Sequence, residues 1–148
     1  MRFTVLFVSF LIWPMCAVPA AAKGLTRKVV VSGPALSSPT VLTTPAALAN
    51  VWSGDFLGGA SEQPNEDWPR YLVEFYVEPP HEPMQMMYSV MYVHDPKTGR
   101  GFVYLPGRGE SGWRRNVATI MRDGQDGRWH RASADWNHAI ARGLRLTD

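Results

Sequence analysis

The chain has 148 residues, with 15 Lys and Arg, 13 Asp and Glu, 4 His and a single Cys. A formal net charge of +2, with no run of five basic residues, argues against a nucleic-acid arm, and one cysteine excludes an internal disulfide or a multi-cysteine metal site. The length suits one domain with its own apolar core.

Residues 1–22 read as a cleaved secretory signal. Arg2 supplies the positive start, residues 3–13 an apolar run, and Ala20, Ala21 and Ala22 the small residues of a cleavage site. That run is too short to span a bilayer, which takes about 20 residues. The expectation is therefore one mature domain over 23–148, exported to a periplasm or secreted, with no stable membrane anchor after cleavage. Trp13, Pro14 and Met15 stand where a lipidated Cys16 would need small residues before it. Once Cys16 has left with the signal, the mature domain holds no thiol nucleophile.

Residues 28–33 (KVVVSG) form a β-branched run closed by a turn, and 40–43 (TVLT) a short strand paired back on it. Thr44 and Pro45 then make a helix start, a cap followed by a proline in the first helical position, and a short helix is expected to about Trp52. Residues 57–69 (LGGASEQPNEDWP) have no period and read as a long loop. In 71–78, Tyr71, Val73, Phe75 and Val77 alternate with Leu72, Glu74, Tyr76 and Glu78, so one side faces the core and the other is partly wet. Residues 84–94 and 101–105 are the next strands. The links between them are too short for a crossover helix, which predicts an antiparallel meander. Residues 113–122 (WRRNVATIMR) fit a helix by Trp113, Val117, Ile120 and Met121, and alternation can be read into them too. DGQDG (123–127) is a hairpin-type turn, 128–132 a last strand, and Ser133 caps a helix carrying Trp136, Ile140 and Leu144 on one stripe. The fold class is α+β: an antiparallel sheet, made of a meander plus an N-terminal hairpin, with a short helix and a C-terminal helix packed on it.

Charge is unevenly spread. Residues 55–95 hold eight acidic side chains against Arg70 alone, whereas 97–145 hold ten basic and four acidic ones. Two halves lying side by side and offsetting each other explain this with less than a dedicated basic face does.

Gly107, Gly109 and Gly112 are spaced G-x-G-x-x-G within LPGRGESGW. A dinucleotide fingerprint needs a parallel strand before it and a helix after it to receive the pyrophosphate. Here the motif leaves an antiparallel meander, follows Pro106 and carries Glu110 inside the loop. A kinase-type loop needs a Val where Arg114 stands. No nucleotide site is expected, and the glycines read as permission for positive φ in a wide loop.

Two other constellations remain. His130, Asp135 and His138 could form a carboxylate–imidazole metal set, because Asp135 and His138 lie three apart on one helix. Neither H-E-x-x-H nor G-x-S-x-G occurs, so no catalytic residue or cofactor is assigned. Five tryptophans follow the signal. Trp68, in the acidic loop, and Trp113, beside Arg114 and Arg115, are the candidates for an exposed binding surface.

Residues 29–48 (VVVSGPALSSPTVLTTPAAL), 98–107 (TGRGFVYLPG) and 126–136 (DGRWHRASADW) resemble small exported bacterial proteins of uncharacterised function. Ala35 stands where such proteins tend to carry a glycine. The resemblance implies an exported small α+β domain and carries no activity. Together these readings lead to the expectation of a non-enzymatic binding or accessory domain of the cell envelope or extracellular space, its partner a protein or polysaccharide. The alternative is an envelope or extracellular hydrolase using His130, Asp135 and His138, with a metal assisting.

Overall fold

The computed structural model describes residues 24–49, 55–119 and 127–146. The expected signal 1–22, the far end of the expected helix at 50–52 and residues 120–126 lie outside these. Strands β1 (Leu25–Ser32), β2 (Thr40–Leu42), β3 (Leu57–Ala60), β4 (Arg70–Glu78), β5 (Gln85–His94), β6 (Gly101–Leu105) and β7 (Arg128–Ala132) are joined by helices α1 (Trp113–Thr119) and α2 (Ala134–Gly143). They form one sheet in the order β2-β1-β4-β5-β6-β7-β3, with every pairing antiparallel. The α+β class, the N-terminal hairpin and the meander are as the sequence predicts.

Period-two alternation sorts the strands into two faces. Val29, Val31, Tyr71, Val73, Phe75, Val77, Tyr88, Val90, Tyr92 and Val103 are buried on one of them. Over it lies α2, whose stripe of Trp136, Ile140 and Leu144 is also buried. The Trp136 ring meets Phe56 at 5.4 Å, Phe75 at 6.3 Å and the edge of Tyr92 at 5.6 Å between centroids. At the far end Arg145 takes a left-handed φ of 57°. It lets the Leu146 N–H reach Ala141 O at 2.9 Å and turns Leu146 onto the core, the arrangement that glycine usually serves. Ser133 occupies the cap position, but its hydroxyl makes no cap bond; its backbone N–H instead donates to Phe56 O at 2.9 Å.

Three expectations need correction or resolution. Residues 45–48 form a single turn on the Thr44 carbonyl, which accepts from Ala47 and Leu48 N–H. Only Ala47 there is fully buried, too little apolar surface to offset the cost of nucleating a longer helix among the described residues. The loop expected at 57–69 begins with an edge strand, β3, whose pairs Leu57↔Ala132 and Ala60↔His130 are supplied by β7. The ambiguous 113–122 is helical over Trp113–Thr119.

Two polar arrangements fix the geometry. Extending the β5–β6 register from Met91↔Tyr104 places Ser89 opposite Pro106, which has no N–H to offer. The carboxamide of Asn116, fully buried on α1, takes that place: Ser89 N–H donates to its Oδ1 at 2.9 Å, and its Nδ2 donates to Ser89 O. The side chain thus mimics the missing strand residue and docks α1 on the β5 edge. On the α2 side, Tyr92 donates its hydroxyl proton to Asn137 Oδ1 at 2.7 Å, and Asn137 Nδ2 donates to Gly99 O at 2.8 Å. His94 Nδ1, 3.2 Å from the Tyr92 oxygen, is left as the donor. A Cβ on Gly101 would run into the Asn137 carboxamide, so a side chain there would displace the group that Tyr92 and Gly99 hold.

Replacing Asn116 by Ala strands a buried N–H and a buried carbonyl on Ser89. Urea denaturation should show a loss of about 2–4 kcal/mol, and a loss below about 1 kcal/mol would mean that water or a neighbour repairs the edge. Burial holds the His94 imidazole below the ordinary histidine range, partly opposed by the Asp95 carboxylate. Below about pH 6.5 the unfolded chain takes up a proton there that the folded chain refuses until lower pH. The His94 contribution is therefore complete above about pH 6.5 and is lost as the solution is acidified toward the folded-state value. Urea melts across this window should fall less steeply with acid for His94→Gln than for the native chain.

Candidate functional site

The sheet face turned away from α2 carries what alternation leaves outward: Leu72, Glu74 and Tyr76 on β4, Ser89 and Met91 on β5, Phe102 and Tyr104 on β6, Trp129 on β7. A bulge adds to it. Phe75 pairs with Tyr88 but Tyr76 pairs with Met86, so Met87 is the extra residue and Met86 swings onto the outward face. Most of these side chains are half-buried, and Leu72 is 39% exposed. Trp68 lies 6.3 Å from Phe102, and Tyr104 lies 5.1 Å from Trp129, each pair tilted.

The glycine loop walls this face at one end. Gly109 and Gly112 adopt φ of 91° and 85°, as a wide glycine-permitted loop requires. Gly107 serves close approach instead, since a Cβ there would meet Gly127 Cα at 3.0 Å. The loop carries its own anion. Glu110 accepts from the Gly107 N–H at 2.6 Å and from the Tyr104 hydroxyl at 3.0 and 2.9 Å. An N–H that a phosphate loop would present to its ligand is thus already engaged by a carboxylate.

Of the candidate binding residues, Trp113, Arg114 and Arg115 come together around a hollow of about 550 Å³, joined by Arg108, whose guanidinium lies 5.5 Å from the Trp113 ring centre. Arg115 Nη1 donates to the Met86 sulfur at 3.1 Å. Trp68 is apart from them, at the Phe102 end of β6. A second hollow of about 630 Å³ lies on the sheet itself, between Leu72, Glu74, Met86, Met91, Tyr104 and the loop, with Arg115 in its lining. Sequence reasoning missed this groove, because neither the bulge that brings Met86 onto this face nor the packing of the glycine loop and α1 at its end can be read from periodicity.

His130, Asp135 and His138 are not assembled. Among the described residues no three His, Cys, Asp or Glu side chains gather into a group that could hold a metal ion. His130 is buried on the α2 side of the sheet, opposite Val103. Asp135 and His138 are exposed and border a separate hollow of about 360 Å³ on α2. There His138 Nε2 lies 3.1 Å from Arg142 Nη2, and because arginine only donates, that nitrogen is an acceptor. The three residues of the alternative hydrolase reading are therefore not brought together as a metal-holding group among the described residues. No helix among the described residues is long and apolar enough to cross a membrane.

Burial raises the Tyr104 phenol above the ordinary tyrosine range, and the hydrogen bond and charge of Glu110 raise it further. Glu110→Ala should move the Tyr104 titration, followed by ring-carbon NMR, part of the way back and should change Trp113 fluorescence. An unchanged Tyr104 titration would show that the clamp does not persist in solution.

Compared with known protein families, with characterised proteins and with solved structures, the chain matches none.

Proposed function

We propose that the chain is a non-enzymatic binding or accessory domain of the cell envelope or extracellular space, and that its ligand is a protein seated on the open face of the sheet. One observation carries this reading. The face opposite α2 presents Leu72, Met91, Tyr104 and Trp129 beside an apolar groove with Arg115 at its rim. Tyr, Trp, Met and Arg are the side chains enriched at protein interfaces, and methionine adapts its shape to a partner. A polysaccharide fits this face less well. Sugar rings stack on flat exposed rings, whereas Tyr104 and Trp129 are inclined at 42° and Trp68 and Phe102 at 34°. The export half of the proposal rests on residues 1–22.

A photo-crosslinking amino acid placed at Met91 in the producing cells should trap a protein adduct, and the same group at His138, on the opposite side, should not. Trp129→Ala should lower the yield of the Met91 adduct, in line with a loss in affinity of about tenfold for an interface anchor. Adducts formed equally well from His138 would place the interface elsewhere. Retention on a glycan array with no protein adduct would replace the protein by a polysaccharide.

A further inference from the structure

Glu74 is a carboxylate on the open face; the cation beside it on β1, Lys28, lies over the Tyr76 ring at 4.3 Å rather than in an ion pair with it. Glu74 points the same way as Leu72, faces Ser89 across the β4–β5 ladder and lines the groove of about 630 Å³ with Met86, Met91 and Tyr104. It is half-buried and has no hydrogen-bond or ion-pair partner among the described residues. Glu110, in contrast, is held by Tyr104 and Gly107. A carboxylate set among thioethers and alkyl carbon gives up part of its hydration, and only a partner bringing donors or positive charge restores that loss.

The rest of the groove says what form the partner takes. Leu72, Met86 and Met91 make a floor suited to an alkyl stem, and the Tyr104 ring beside them is a surface that attracts cations. Arg115 borders the same groove from α1. Its guanidinium reaches over the β5 part of the floor, where Nη1 meets the Met86 sulfur at 3.1 Å, while Glu74 stands on β4. A cationic head is thus drawn toward β4, away from the guanidinium. Lysine and arginine have this two-part chemistry, a chain of three or four methylenes ending in a charge.

We propose that this groove receives a lysine or arginine side chain of the partner protein, its stem across Met86, Met91 and Leu72 and its head at Glu74. The inference deepens the open-face reading and rests on it.

Methionine-methyl NMR on the full mature chain tests it, with three probe peptides: acetyl-Ala-Leu-Lys-Leu-Ala-amide and the same peptide with norleucine or glutamate in place of lysine. The lysine peptide should shift the Met86 and Met91 methyls and bind more tightly than the other two. Glu74→Gln should weaken it about fivefold, the size of one partly exposed ion pair, and leave the norleucine peptide unchanged. Equal binding of the lysine and norleucine peptides, or no effect of Glu74→Gln on the lysine peptide, overturns the basic-side-chain assignment. If the Met91 crosslink to a protein still forms in that case, the open-face reading stands without it. If the methyls stay still and the crosslink is also absent, both fall. The methyl spectrum of Glu74→Gln alone reports whether the fold survives the change.

Discussion

Trp136 decides which side of the sheet becomes core. Its ring wedges between Phe56, Phe75 and Tyr92, and the ten-residue helix that carries it is about 15 Å long. Seven strands at about 4.8 Å spacing make a sheet close to twice that width. One such helix, helped by Leu42, Ala47 and Phe56 from the N-terminal half, closes a single face. Among the described residues the other face has only the seven-residue α1 and the glycine loop, both at its β5–β6 end. A half-covered sheet face follows from having one long helix, and the candidate binding surface is that uncovered remainder.

The glycine loop belongs to the same economy of cover. β6 ends at Leu105, and Pro106 cannot continue the ladder, so the edge of β5 at Ser89 needs other partners. Asn116 supplies both of them from one carboxamide, which requires α1 to begin soon after the strand ends. The loop between must therefore reverse within a few residues, and Gly109 and Gly112 permit the left-handed backbone that this demands. Glu110 then ties the loop to Tyr104 on the sheet, so the wall of the groove is fixed to its floor. The spacing that suggests a phosphate loop arises here from a chain reversal with an internal carboxylate.

Much of this was legible in the sequence. Alternation in residues 71–78 told which side chains face inward, and the short links between β4, β5 and β6 told that they run antiparallel. The spacing of Trp136, Ile140 and Leu144 marked the buried stripe of α2. What failed has physical causes. β3 is Leu-Gly-Gly-Ala, with no alternation to read, and it is a strand only because β7 offers it hydrogen bonds. The cap signals at Thr44 and Pro45 were locally right, yet they are followed by too little buried surface to extend the turn among the described residues. Met86 reached the open face through a bulge at Met87, a one-residue slip that no periodicity reveals. His130 stood near Asp135 in sequence but entered the core from the strand, while Asp135 and His138 turned to solvent. Trp113, Arg114 and Arg115 did come together as neighbours in sequence. Glu74 was recognisable only as a residue on the wetter side of its strand.

The uneven charge along the chain also changes meaning once the sheet is assembled. The acidic half of the chain contributes β4 and β5 and the basic half β6 and β7, and β5 hydrogen-bonds directly to β6, so the two halves are neighbours in one layer. Neighbourhood does not amount to pairing, for among the described residues Glu74 has no hydrogen-bond or ion-pair partner, while Arg115 turns to the Met86 sulfur. The groove lies across the seam, with a carboxylate from the acidic half on β4 and a guanidinium from the basic half over the Met86 sulfur of β5. Over an apolar floor such a separated pair is screened less than it would be in open water, so it acts on whatever lies between. On the proposed reading, a partner gains most by setting a positive group toward β4 and keeping one away from the loop. That gives the surface a preferred direction for its ligand, which an apolar patch alone cannot provide.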